Sequence, residues 1–256
     1  VAGVGGRDNA FTSRDYTAYF QQVPADQLEY MMTLEADRMH GLKLDDASFA
    51  KEIEVVKEER RLRTEDKARA LVFEELMASA YHAHPYRRPV IGWMNDLDRM
   101  RPDDARRWYR DWYAPNNATL VVVGDVDHAS VFAQAARTYG KVAAAAALPA
   151  RPVIEEPPQR GVRRAVVRAP AELPYVAMAW STPTLRDPAG DDDVYALQVL
   201  AAVLDGYAGA RLPREIVRGA QIAVSAGAGY DGIGRGPSLF YMDGAPAEGK
   251  IGRAHV

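Results

Sequence analysis

The chain has 256 residues, 48% apolar and 26% charged, with 20 glycines, 16 prolines and no cysteine. That composition excludes a collagenous, disordered or disulfide-stapled chain, a cysteine-ligated zinc and a thiol nucleophile. A formal net charge of −3 gives no global attraction to nucleic acid or an anionic membrane, and no run of eighteen apolar residues offers a membrane span. The length suits two domains or one large one. Absence of cysteine fits an oxidising or a reducing compartment alike, so it does not fix location.

Gly5-Gly6 is a turn, and Ala10-Phe11-Thr12 and Tyr16-Thr17-Ala18-Tyr19-Phe20 are rich in the aromatic and β-branched residues of strands. Pro24 opens a helix with an apolar stripe at Leu28, Met31, Met32 and Met39. A second helix is expected over 45–63, capped by Asp45 or Asp46 and burying Phe49, Ile53 and Val56. A third covers 68–81. Pro85 and Pro89 keep 84–89 in a loop. Pro102 starts a helix through Trp112, residues 119–123 read as a buried strand, and a helix follows over 127–139. Alanine and then Pro149, Pro152, Pro157 and Pro158 mark 143–161 as a semi-rigid linker. Beyond it, strands are expected at 162–168, 175–181, 221–228 and 238–243, with helices at 191–206 and 211–218. Strands and helices alternate irregularly, which favours an α+β layer architecture. The last six residues, 251–256, match the translation of a common sequencing adapter. We expect them to be a scar, with Lys250 the last native residue and the native sequence continuing past it.

The helix over 45–63 is the stretch richest in chemistry. Glu52 and Glu59 are seven residues apart, so they lie about 20° from one face and roughly 10 Å apart along the axis. Both could serve one site, but that separation makes it difficult for both to bind one metal ion. One ligand and one supporting carboxylate is the natural division of labour. The same stretch reads as a solvated face of i, i+4 pairs, and on pattern alone that reading prevails. His82 and His84 lack the His-Glu-x-x-His spacing of a zinc helix and read best as loop or helix-end histidines. No Gly-x-Ser-x-Gly elbow, Walker loop or dinucleotide fingerprint occurs.

Taken together, the chain resembles the pitrilysin/insulinase family of zinc metallopeptidases, which includes the mitochondrial processing peptidase. The resemblance rests on Gly5-Gly6-Arg7-Asp8-Asn9-Ala10-Phe11-Thr12-Ser13, on Glu35-Ala36-Asp37-Arg38-Met39 and on the Glu52–Glu59 helix. Trp112-Tyr113-Ala114-Pro115-Asn116-Asn117, Val121-Val122-Val123-Gly124-Asp125, Tyr230-Asp231-Gly232 and Arg235-Gly236-Pro237-Ser238 continue it. Each piece is weak alone; their order and spacing make the set specific.

The resemblance implies two α/β-layer domains of similar type: a peptidase domain over 1–142 lacking its N-terminal part, the linker, and over 162–250 the start of a truncated, inactive-type domain. It implies a Zn2+ cofactor held by an inverted His-x-x-Glu-His motif, which would precede Val1, and by a third ligand that falls on Glu59. Glu52 falls on the supporting carboxylate of the catalytic centre. In such an enzyme zinc polarises the scissile carbonyl and acidifies its water, and the motif Glu takes the proton. Asn9, Ala10 and Phe11 match the strand that receives a peptide substrate by strand addition. Arg214 matches a substrate-holding Arg, but Ile222 stands where its companion Tyr is expected, and Ile offers no hydrogen bond. A homologous subunit, in a hetero- or homo-oligomer, or nearby Tyr230 would then supply the missing donor. The expected function is zinc-dependent endopeptidase in the intact parent, with this chain alone inactive. A non-catalytic partner subunit is the rival.

Overall fold

A computed structural model describes residues 1–250; the expected scar at 251–256 lies outside the described residues. Mixed helix and sheet are present, as the alternation of patterns predicts. The chain divides into two compact units, Val1–Lys57 with Met94–Pro152, and Glu58–Trp93 with Val153–Val256. The return at 152 falls inside the expected linker, whereas the excursion over 58–93 carries no mark in the sequence. Among the described residues no helix is long and apolar enough to cross a membrane.

In the first unit, β1 (Arg7–Thr12) and β2 (Thr17–Gln22) pair antiparallel, from Arg7 opposite Gln22 to Thr12 opposite Thr17. The connection closes through Ser13 N donating to Tyr16 O at 2.8 Å. Alternation sends Tyr19 and Gln21 to one face and Phe11 and Phe20 to the other. The first face is anchored: Gln21 donates to Glu35 at 2.8 Å, the Tyr19 and Tyr113 hydroxyls meet at 2.5 Å, and the Arg38 guanidinium lies 3.7 Å from the Tyr19 ring centre. Burial, and then the Tyr19 hydroxyl, push the Tyr113 phenol well above its usual range.

Pro24 does not start α1 itself. It precedes a 3-10 turn, Ala25–Gln27, from which α1 (Leu28–Gly41) runs with Met31, Met32 and Ala36 buried. The end of α1 is stitched by Tyr109, whose hydroxyl donates to Arg38 O at 2.6 Å and accepts from Leu42 N at 3.2 Å. Tyr109 belongs to α5 (Pro102–Trp112), which begins on its proline as expected, after the single turn of α4 (Met94–Leu97). Asp127 caps α6 (His128–Arg137) by accepting from Ser130 N at 2.8 Å. The strand expected at 119–123 is not formed: the segment pairs with no strand among the described residues, and Val121 and Val123 are 74% and 92% exposed. An apolar run marks a segment fit for burial, but a strand exists only beside a hydrogen-bonded neighbour.

The second unit is a helix-backed sheet. β3 (Val176–Thr182), β5 (Ser238–Pro246) and β4 (Ala223–Tyr230) lie antiparallel in that order, with Val176 opposite Gly244 and Tyr230 opposite Phe240. α3 (Ala68–Ala80) packs on it through Phe73, whose ring meets those of Tyr175 and Tyr241 at 6.1 and 6.0 Å. Tyr175 donates to Asp243 at 2.6 Å. α7 (Asp192–Asp205) lies against β4, with Val194 fully buried. Gly236 is obligatory: a Cβ there would sit 2.3 Å from the His84 ring and 2.7 Å from that of Tyr86. The strand expected at 162–168 is also absent, with Val162 and Val166 84% and 87% exposed, for the reason that holds at 119–123.

Candidate functional site

α2 (Asp46–Arg60) carries both candidate carboxylates. Asp45 precedes it and accepts from Ser48 N and Ser48 Oγ, both at 2.8 Å, bonds that hold its own carboxyl below the usual range. Phe49, Ile53 and Val56 are half-buried on the packed side. Glu52 is exposed, and Glu59, two helical turns on, is 38% exposed and paired with Arg63 at 2.9 Å. Glu58, on the solvated side, pairs with Arg61 at 3.0 Å.

The helix does not continue to residue 63 in α form. Directly after Arg60 the backbone widens into a π-helical turn, Arg61–Glu65, closed by Asp66 N donating to Arg61 O at 2.9 Å. Such turns mark strained or functional positions. Arg60 pins this widening from inside: only 5% exposed, it donates to both Glu74 oxygens at 2.9 and 3.0 Å, to Gly92 O at 2.7 Å and to Glu65 at 3.2 Å. Sequence reasoning missed Arg60, because an Arg among Glu and Lys looks like one more solvated charge. Its bidentate partner Glu74 and the carbonyl of Gly92 are 14 and 32 residues away, so no local pattern marks its burial.

β1 presents Asn9, Ala10 and Phe11 on one exposed strand. Its other edge faces no strand among the described residues. Ser13 N points across the hairpin, so alternation leaves the backbone groups of Asp8, Ala10 and Thr12 on the open edge. Ala10 N donates instead to the Asn9 side chain at 2.8 Å. Phe11 is 47% exposed and touches Tyr16 and Phe20, with ring centres 5.7 and 6.3 Å apart.

Arg214 sits on a second π-helical segment, Leu212–Gly219, expected as an ordinary short helix. Its guanidinium pairs with neighbouring Glu215 at 2.7 Å, both side chains more than half exposed. Ile222 is 46% exposed, and the Tyr230 hydroxyl is spent on Pro183 O. Arg214 and Tyr230 are therefore each held by a nearby group. Among the described residues no group of three His, Cys, Asp or Glu converges as a metal site. The described donors do not hold a zinc ion by themselves; Glu59 offers one anionic oxygen donor of the three protein ligands a catalytic zinc needs. The amides of His82 and His84 bind the Glu156 carboxylate, and the His84 ring Nδ1 accepts from Tyr86 N at 3.2 Å, capping the turn that follows.

Residues 1–93 match a family profile described as insulinase (peptidase family M16), and residues 99–253 match one described as peptidase M16 inactive domain. A curated relative, the zinc protease PqqE of Helicobacter pylori, is 32% identical over 88% of this chain and 50% of its own length. An uncharacterized zinc protease of Streptomyces coelicolor is 27% identical over 84% and 47%. The chain thus spans about half the length of these curated relatives. Among solved structures, a protease from Helicobacter pylori superposes with a TM-score of 0.89 at 30% identity, covering 96% of this chain and 59% of that one.

Proposed function

The chain belongs to the insulinase family of peptidases, M16, and on that premise we propose that the whole protein is a zinc-dependent endopeptidase acting on peptides or unfolded segments. The observation that carries the reading is α2: an exposed Glu52 and a half-exposed Glu59 on one helical face, with the helix end locked behind them by Arg60. In this reading Glu59 is the single metal ligand this chain supplies, and Glu52 orients the groups around it. The remaining ligands and the general base come from outside the described residues. The open edge of β1 receives the substrate backbone at Asp8, Ala10 and Thr12, so selection depends little on side-chain identity.

Metal content and peptide hydrolysis of the full-length protein test the division of labour. Glu59→Gln replaces an anionic ligand by a neutral amide and is expected to abolish zinc retention. Glu52→Gln is expected to retain more metal while lowering turnover by roughly 10–100-fold. Equal metal loss in both variants would show the roles misassigned.

A second reading, a non-catalytic partner subunit, is favoured by two observations: Ile222 stands where a hydrogen-bonding Tyr is expected, and Tyr230 is already engaged. The enzyme reading meets them with a homologous subunit that supplies the Arg/Tyr pair, in a hetero- or homo-oligomer. Purifying the full-length chain alone and with a homologous partner separates the two. Activity gained only with the partner, and lost on Glu59→Gln in this chain, supports the enzyme reading. Activity insensitive to Glu59→Gln supports the non-catalytic one.

A further inference from the structure

Residues 153–163 are proline-rich and form neither helix nor strand, yet they are tied at two points to the end of α3 within the second unit. α3 closes with Tyr81 N donating to Met77 O at 3.2 Å. The next three amides converge on one carboxylate: His82 N reaches one Glu156 oxygen at 2.5 Å, and Ala83 N and His84 N reach the other at 2.9 and 2.8 Å. Successive N–H groups arranged so form an anion-binding nest. Seven residues on, the Arg163 guanidinium donates to Ser79 O at 2.6 Å and Ala80 O at 3.3 Å. These are carbonyls that the last turn of a helix leaves without an intrahelical donor. An anion therefore covers the donors beyond the helix and a cation its last acceptors, each matched in sign to what it covers. Between the two ties, Pro157, Pro158, Gly161 and Val162 border a hollow of about 480 Å³ that His82 walls on another side.

We propose that Glu156 and Arg163 form a two-point clasp that holds 156–163 as a strap across the C-terminal end of α3, and that the charge on Glu156 keeps it shut. Composition marks the whole of 143–161 as spacer; the clasp fixes its last residues to the end of α3. A carboxylate is the side chain this nest selects. It gives two charged oxygens to three donors, whereas a glutamine of equal length gives one neutral oxygen and turns an N–H2 toward the same amides.

Limited trypsin digestion of the 256-residue chain reads the strap directly, because Arg160 and Arg163 lie on it. Glu156→Gln and Arg163→Gln are each expected to speed cleavage after Arg160 about tenfold, the cost of a lost charge-assisted bond. Glu155→Gln, next door, is expected to leave the rate unchanged. Hydrogen exchange on the unaltered chain needs no variant: the amides of His82, Ala83 and His84 are expected to exchange at least about tenfold more slowly than open-chain amides. Those three amides exchanging at open-chain rates, or cleavage in Glu156→Gln at the unaltered rate, would overturn the clasp. Neither measurement involves zinc or peptidase activity, so the clasp stands or falls apart from the proposed function.

Discussion

Arg60 and Glu74 form a bidentate ion pair, Nη1 to Oε2 at 2.9 Å and Nη2 to Oε1 at 3.0 Å, immediately behind the residue proposed to bind metal. Arg60 is nearly fully buried and also caps Gly92 O, so the C-terminal end of α2 is fastened to α3 and to the loop before Met94 by one side chain. The adjacent Glu59 is thereby turned outward without being buried itself.

Removing Glu74 strips the buried Arg60 of its bidentate partner and leaves it only Glu65 and Gly92 O. Glu74→Ala is expected to lower unfolding free energy by about 3 kcal/mol, while an Arg60→Met, Glu74→Leu double variant recovers most of that loss. Urea unfolding of the three chains measures it. A loss below about 0.5 kcal/mol in Glu74→Ala would mean the pair is as inconsequential as a surface one.

Substrate pairing along β1 makes a backbone prediction. Ala10→Pro deletes the N–H on the open edge but none that pairs with β2, and proline is tolerated where a strand's N–H faces outward. In the full-length protein, on the proposed peptidase activity, we expect KM to rise by roughly tenfold with kcat little changed, the loss of one hydrogen bond in binding. Unchanged KM would remove β1 as the receiving edge.

The 256-residue chain by itself is expected to retain no zinc through dialysis and to cleave no denatured protein, since the proposed ligand Glu59 would be one where three are needed. Metal analysis and a casein digestion assay check this. Chelator-sensitive hydrolysis by the chain alone would refute it.

Glu156 adds a pH prediction. Burial raises its pKa, but donation from His84, His82 and Ala83, with Arg163 nearby, outweighs this and holds it below the ordinary glutamate value. A depressed folded-state pKa contributes stability that is present above the unfolded value, near 4.3, and is lost as pH falls through the lower folded one. The strap is therefore expected to stay shut from pH 7 to about 5 and to open only below about 4. The ionisable groups around the carboxylate are His82, His84, Arg87 and Arg163. Amide chemical shifts of residues 82–84 follow the opening, and Glu156→Gln is expected to remove the acidic step alone. A single transition near pH 6–7, with none in acid, would contradict it.

Local chemistry made several elements legible from sequence. Pro102 opens α5, the helix expected from about residue 127 forms as α6, and Met31 and Met32 mark the buried stripe of α1, because a helix start or a stripe depends on residues within one or two turns. The Glu52–Glu59 spacing needed only the pitch of a helix, and the order of short motifs pointed to the family. The Val121–Val123 run and the Val162–Val166 alternation were legible only as segments suited to sheets. Whether they pair depends on which backbone stands beside them, and no periodicity encodes that. Tertiary structure alone decided that Arg60 is buried, that α2 ends in a π turn, and that Glu156 closes on His82–His84 across more than seventy residues. A charged side chain has the same local signature whether solvent or a distant partner neutralises it, so its role is settled only when the fold sets its partner beside it.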